Sequence, residues 1–341
     1  MKQGLDVIHS KISGVGSYVP PKTLTNFDLE DLLNTSDEWI QQRTGIVKRH
    51  WVEGDMATSD LALHATNNAL DSAQMKKEEI DCIIFATLSP DHDFPGAGCF
   101  LQAKLGLSGI PAFDIRQQCS GFVYGLSMAD ALIKTGQYKN ILLIGAEIHS
   151  KGLDRTPDGR NVAVLFGDGA GAVILSAHHG DESEGCFLAH DLHADGEFAK
   201  ELWISAPGSA VDPENRITEK MLRDKLHYPY MNGRTVFMHA VKRMTETLTS
   251  TLKGQGKRIE DVDLFLFHQA NLRINDKVAE ILNIPAEKVF NTIQDYGNTT
   301  AATIPIGMTE AVRAGKLERG MLVGVAAFGS GFTWGSSLFY Y

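Results

Sequence analysis

Three polar residues of the 341-residue chain have types and settings suited to chemistry on a carbonyl: Cys119, His268 and Asn298. Cys119 opens the run Cys119-Ser-Gly-Phe-Val-Tyr-Gly-Leu126, which reads as the start of a buried helix, apolar on nearly every face. A helix N-terminus presents unpaired N–H groups and the positive end of a dipole, which stabilise a thiolate. Such a thiolate attacks a carbonyl carbon and holds the acyl group covalently. His268 ends the apolar run Leu264-Phe-Leu-Phe267, so it projects from the C-terminal edge of a sheet, where open α/β folds carry their sites. Asn298 stands in Asp295-Tyr-Gly-Asn-Thr-Thr-Ala-Ala302, where alone it reads as a helix N-cap. Each residue also has a bland use, as a small buried hydrophobe, a structural histidine or a cap. Cys82 and Cys186, in or beside apolar segments, and Cys99, near Gly96-Ala97-Gly98, keep that use.

The elements that must position these residues read as a repeat. Glu79–Ala86 and Asp261–His268 are each an acidic turn feeding a short apolar strand, 182 positions apart. Helix-like stretches precede both, over 59–73 and 235–252, with apolar residues three and four apart. Gly136 and Gly145 follow Cys119 at 17 and 26 residues, and Gly315 and Gly324 follow Asn298 at the same distances. This second offset is 179; it puts Cys119 and Asn298 at one place in the two copies, with a net three-residue loop difference. Gly136 and Gly315 fall where helix C-terminal caps belong. Two β/α copies with buried helices predict an α/β fold, a duplicated α/β/α/β/α five-layered body about a pseudo-twofold axis. Residues 1–180 form the half with the cysteine, and 181–341 the half with the histidine and asparagine. All three residues then converge at one end of the two halves.

Composition narrows the class. With 32 basic and 42 acidic residues the net charge is −10, against a binder of nucleic-acid backbone. Hydrophobic residues at 43% and charged residues at 22% fit an ordinary globular enzyme. No apolar run reaches the roughly 18 residues of a membrane span, and the N-terminus lacks a signal-peptide core. Four cysteines without CxxC spacing suit a reducing cytoplasm. Two patterns are decoys. Gly167-Asp-Gly-Ala-Gly-Ala172 lacks the GxGxxG spacing and runs on into strand-like residues, so it reads as close backbone packing near the site. His178-His179 with Asp181, Glu182 and Glu184, and His190 with His193, read as solvated loops and not metal ligands.

Five strings in register then carry a family resemblance. Gln118-Cys-Ser-Gly-Phe122, His268-Gln-Ala-Asn-Leu-Arg273, Tyr296-Gly-Asn-Thr-Thr300, Phe166–Ala172 and Ala327–Gly335 resemble 3-oxoacyl-(acyl carrier protein) synthase III, of the thiolase superfamily. Thr35–Ile40 with Arg43–Ile46 resembles it too. The resemblance runs from about residue 10 to the C-terminus and implies a thiolase-like fold, a homodimer and a two-stage reaction. Cys119 takes the acyl group from an acyl-CoA. Malonyl-acyl carrier protein then loses CO₂, and its carbanion attacks the acyl-enzyme to give a 3-oxoacyl product. His268 and Asn298 would donate hydrogen bonds to the malonyl thioester oxygen as it becomes an enolate, each donor contributing about 3–4 kcal/mol. Neutral imidazole suits that role, so His268 is expected to donate and not to act as a base. The backbone N–H groups of Cys119 and Ser330 would form the oxyanion hole.

The resemblance also implies binding residues. Trp39 and Arg43 match the adenine-contacting pair at the CoA tunnel mouth, where an aromatic and a guanidinium stack on a base. Phe237 falls where an aromatic lines the tunnel. Gln269, Ala270, Asn271, Leu272 and Arg273 resemble the part that faces the carrier protein and pantetheine, Arg273 offering local positive charge. Phe94 resembles the residue that crosses the dimer interface to the partner's acyl pocket. Apart from the CoA thioester substrate, no cofactor or metal is implied. Lys151 stands where an arginine often contacts the CoA phosphates, and the loop 152–161 is about two residues longer, so contacts there stay open. Arg116-Gln117-Gln118 and Ser330 replace smaller residues near the acyl pocket, leaving primer length open. A degradative thiolase needs a second cysteine near the C-terminus, and none follows Cys186. A ketide, quinolone-type or acyl-transfer enzyme of secondary metabolism would keep the same three residues. A non-catalytic partner subunit would not need them.

Overall fold

The computed structural model describes residues 8–181 and 185–341. Strands β1 (His9–Tyr18), β2 (Cys82–Ala86), β3 (Ala112–Ile115), β4 (Asn140–Glu147) and β5 (Gly169–His178) form one sheet in the order β1-β5-β4-β2-β3. Strands β6 (Phe187–Ala194), β7 (Leu264–Phe267), β8 (Leu322–Gly329) and β9 (Thr333–Tyr340) form a second, in the order β7-β8-β9-β6. Val289 bridges in parallel to Phe265, where the first sheet has β3. From β1, or from β6, the next two pairings are antiparallel and the ones beyond are parallel. One plan is therefore used twice.

Helices α1 (Asp37–Thr44), α2 (Thr58–Ala73), α3 (Ala97–Lys104), α4 (Gly121–Lys134), α5 (Gly233–Gly254), α6 (Leu272–Leu282) and α7 (Thr303–Arg313) complete the frame. The stretches anticipated over 59–73 and 235–252 are α2 and α5. Helices α2 and α3 cover the outer face of the first sheet, and α5, with α6 against it, covers that of the second. Between the sheets lie α4 and α7, giving the five layers expected. Phe122, Val123, Leu126 and Ile133 of α4 are fully buried with Ile84 of β2 and Val325 of β8, so both sheets share one core. Truncating such a leucine to alanine costs about 2–5 kcal/mol. Among the described residues no helix is long and apolar enough to cross a membrane.

The duplication differs from its sequence reading in one register. The three-residue 3-10 turns Gln118–Ser120 and Thr300–Ala302 stand 182 apart, as β2 and β7 do. Each opens on a non-glycine residue with left-handed φ, +44° at Gln118 and +50° at Thr300. Cys119 therefore corresponds to Ala301, and Asn298 lies three residues upstream, in the loop before its turn. The spacing of 179 arises because α7 has 11 residues and α4 has 14, which shifts the capping glycines. Those caps are real: Gly136 and Gly315 have φ of +74° and +63°. Three extra residues before β8 restore the offset, so Gly145 pairs with Ala86 whereas Gly324 pairs with Phe265.

The histidines read as solvated loops are placed differently too. His190 and His193 lie within β6. His190 contacts Ser337 at 2.8 Å and Asp130 at 3.2 Å, and His193 contacts Asp191 at 2.7 Å. His178 ends β5, with His179 and Asp181 just beyond. Glu182 and Glu184 lie outside the described residues.

Candidate active site

Cys119, His268 and Asn298 line one cavity of about 500 Å³. Cys119 reaches it from the turn between β3 and α4. Ser120 holds that turn, its hydroxyl meeting the Gln117 carbonyl at 2.9 Å and Thr333 Oγ1 at 2.7 Å. The end of β8 lies against the cysteine so closely that a Cβ on Gly329 would stand 2.8 Å from Cys119 Cβ, which only glycine avoids. This approach brings the Ser330 N–H to the sulfur, where it and the N–H of Cys119 favour the thiolate.

They do not prevail. Burial, then the charge of Glu147, push the Cys119 thiol up to about 12, so the expected thiolate is absent at rest. Glu147 ends β4, fully buried, and accepts from the N–H groups of Leu88 and Ser89 and the hydroxyls of Thr87 and Ser89. Burial outweighs those bonds and raises its carboxyl to about 7. Alkylation of Cys119 by iodoacetamide is expected to accelerate from pH 7 to 9.5 without levelling, because thiolate remains the minor form throughout. A plateau below pH 8 would show an activated thiolate instead.

His268 follows β7, and its N–H extends the ladder to Ala326 O at 2.9 Å. Its Nδ1 lies 2.7 Å from Thr303 Oγ1, and its buried Nε2 has no partner. Burial lowers the imidazole to about 3, so the ring is neutral at ordinary pH. Asn298 is pinned by a parallel bridge to Phe166. Its Oδ1 accepts the Thr300 N–H at 2.8 Å, which leaves the Nδ2 donors for the cavity. Thr300 also meets His149 Nε2 through its hydroxyl, at 2.5 Å. A β-branched residue in the left-handed region costs about 1–3 kcal/mol, a strain typical of functional turns.

At the mouth, Ser36 caps α1 by accepting the Trp39 N–H at 3.1 Å. The Trp39 ring carries two guanidiniums, Arg43 at 4.4 Å and Arg160 at 4.8 Å from its centroid. Arg160 was missed in the sequence, although it sits in the loop whose length stood out. Phe237 of α5 also lines the cavity, with Arg273 at 5.7 Å over its ring. Ala270 and Asn271 line it as well; Asn271 caps α6 and donates to Arg43 O at 2.8 Å, tying α6 to α1.

Other expected contacts point elsewhere. Gln269 is buried and its amide is spent on Phe267 O and the N–H groups of Thr292 and Ile293, so it offers a carrier protein nothing. Leu272 packs into the cluster around Ile40 and against Gly45. Lys151 donates to Met56 O at 2.7 Å and does not line the cavity. The Ser330 hydroxyl donates to Leu202 O, leaving only its backbone for the sulfur. Phe94 is 81% exposed on the loop after β2. The glycines of 167–172 pack closely, as read: a Cβ on Gly167 would meet Tyr296 O at 2.3 Å.

A cysteine from one copy of a repeated body, sharing a cavity with a histidine and an asparagine from the other copy, fits a thiolase-fold condensing enzyme. Comparison with known proteins narrows this class. Family models for 3-oxoacyl-[acyl-carrier-protein (ACP)] synthase III and for its C-terminal part match residues 113–196 and 252–341. Beta-ketoacyl-[acyl-carrier-protein] synthase III of Xanthomonas campestris pv. campestris is 44% identical over 334 residues, 98% of this chain and 99% of that protein. Its counterpart from Caldanaerobacter subterraneus is 44% identical over 331 residues, 97% of each. The crystal structure of 3-oxoacyl-[acyl-carrier-protein] synthase III from Aquifex aeolicus VF5 matches with a TM-score of 0.88 at 43% identity, covering 97% of this chain and 100% of that one. The chain belongs to the 3-oxoacyl-(acyl carrier protein) synthase III family and is an acyltransferase of that type.

Proposed function

We propose that the cavity joins an acyl-CoA primer to malonyl-acyl carrier protein, the condensation that initiates fatty-acid biosynthesis. In the first stage Cys119 sulfur attacks the thioester carbonyl, and the N–H groups of Cys119 and Ser330 hold the oxyanion. CoA leaves as its thiol, carrying the proton that Cys119 gives up. In the second stage His268 and Asn298 donate to the malonyl thioester oxygen while CO₂ departs. The enolate carbon attacks the acyl carbon, Cys119 is released, and one proton from solvent restores its thiol. The supporting observation is that an unpartnered nitrogen of a neutral imidazole and the amide of Asn298 line one cavity with a thiol that two N–H groups already touch.

Trp39, with Arg43 and Arg160, would stack the adenine, and Phe237 and Asn271 would line the pantetheine path. Arg273 and Ala270 would meet the carrier protein. The halves 1–180 and 181–341 each supply part of this site, so neither is active alone. Exposed Phe94 and edge strand β3, with Phe113 41% exposed, support a homodimer in which Phe94 enters the partner's acyl pocket. The protein side chains suffice without a resident metal or cofactor, and the location is cytoplasmic.

Intact-mass analysis after mixing the protein with acyl-CoAs of increasing length tests this reading. One acyl adduct at Cys119 is expected, followed, once malonyl-carrier protein is added, by CO₂ and a 3-oxoacyl-carrier product. A protein that forms the adduct but no product would be an acyltransferase of another kind.

A further inference from the structure

We propose that Thr303 is a positioning residue that fixes the tautomer of His268: its hydroxyl donates to Nδ1, so the ring proton is held on Nε2, facing the cavity. This rests on the reading of His268 as a donor to the enolate. A neutral imidazole carries one proton, and only Nε2–H can donate into the cavity. Where a carboxylate faces Nδ1, that nitrogen keeps the proton and Nε2 becomes the acceptor of a general base. Here the group facing Nδ1 is a hydroxyl, which can give a proton as well as take one.

The Thr303 hydroxyl has two acceptors in reach, His268 Nδ1 at 2.7 Å and Thr300 O at 3.0 Å. Two observations favour the ring. The Thr300 carbonyl already accepts the backbone N–H of Thr303 itself. The ring nitrogen is also the nearer of the two acceptors, 2.7 Å against 3.0 Å. The opposite assignment would send the hydroxyl proton to a carbonyl that already has one donor and leave Nε2 as a bare lone pair. The turn that sets Thr303 also orients the other donor, since the Thr300 N–H holds Asn298 Oδ1. One strained turn therefore aims both donors.

The test uses the full-length protein with ¹⁵N-labelled histidine and the variants Thr303→Val, Thr303→Ser and His268→Ala. The His268 signals, identified by their loss in His268→Ala, are expected to show a protonated Nε2 and a bare Nδ1 in the wild type and in Thr303→Ser. Thr303→Val keeps the shape without the hydroxyl; it is expected to lose that pattern and to slow malonyl-carrier decarboxylation roughly 10²-fold. Acylation of Cys119 should stay within about twofold, and Thr303→Ser should restore decarboxylation. A wild-type His268 protonated on Nδ1 overturns the proposal. So does a Thr303→Val protein that decarboxylates normally, or one that loses both half-reactions equally. If His268→Ala itself decarboxylates normally, the donor reading of His268 fails first; if His268→Ala is inactive and Thr303→Val is not, only the role of Thr303 falls.

Discussion

Replacing Cys119 with alanine is expected to abolish the acyl-enzyme and to lower condensation by roughly 10³-fold or more, while decarboxylation of malonyl-carrier protein continues. The first loss follows because, among the described residues, the sulfur is the only cavity-lining nucleophile in contact with the two N–H groups. Cys82 is also a thiol raised to about 12, but it is buried in β2 and does not line the cavity. The second half of the expectation is the sharper one. In the proposed reaction decarboxylation relies on donors to the thioester oxygen, and those are His268 and Asn298, not Cys119. Alanine keeps the Cβ and backbone atoms that pack against Gly329 and introduces no clash, so folding should be preserved. The measurements are intact mass after incubation with acyl-CoA and release of labelled CO₂. An adduct persisting in Cys119→Ala would mean that another nucleophile carries the acyl group.

Replacing His268 with alanine should produce the complementary defect. Losing one preorganised donor to a developing oxyanion costs about 3–4 kcal/mol, or roughly 10²–10³-fold in rate. Decarboxylation is expected to fall by that factor, with acylation of Cys119 largely retained. Asn298→Ala should do the same, and the double variant should lose less than the product of the two, because both donors act on one oxygen. The pH dependence has a definite sign. With its midpoint lowered to about 3 by burial, His268 is neutral above pH 5, so its donor function does not titrate away between pH 5 and 8. A decarboxylation rate that instead rose or fell with a midpoint near 6.5, and lost that midpoint in His268→Ala, would show a histidine in contact with solvent.

Much of this was legible in the sequence because it rests on periodicity and on end signals. The apolar runs became β2 and β7, and Gly136 and Gly315 became left-handed caps. The trio Cys119, His268 and Asn298 was legible because each stands just after a strand or just before a helix. The register of the repeat was misread for a definite reason. Counting back from the capping glycines imports the shorter α7 into the comparison, so Asn298 and not Ala301 fell opposite Cys119. What could not be read was anything set by an environment assembled from distant segments. Burial and Glu147, 28 residues from Cys119, keep the cysteine a thiol despite its place beside a helix start. Thr300 and Thr303 lie in or just beyond the Tyr296–Thr300 string, but their partners Asn298, His149 and His268 meet them only in the folded turn. Gln269 shows the reverse error: a polar residue next to His268 turned inward because two N–H groups needed its oxygen.

Because the body is built twice, the turn that carries Cys119 has a twin. At the twin position stands Ala301, and there β4 presses in as β8 does on the other side: a Cβ on Gly145 would lie 2.2 Å from the Ala301 carbonyl. One turn opens onto a chamber and the other is sealed against its strand. The residues around the sealed turn are nonetheless employed: Asn298 before it lines the cavity that holds the thiol of the first copy, and Thr303 after it contacts His268. The chain is thus built like a heterodimer written in one polypeptide, in which one member carries the thiol and the other lends the residues that share its cavity.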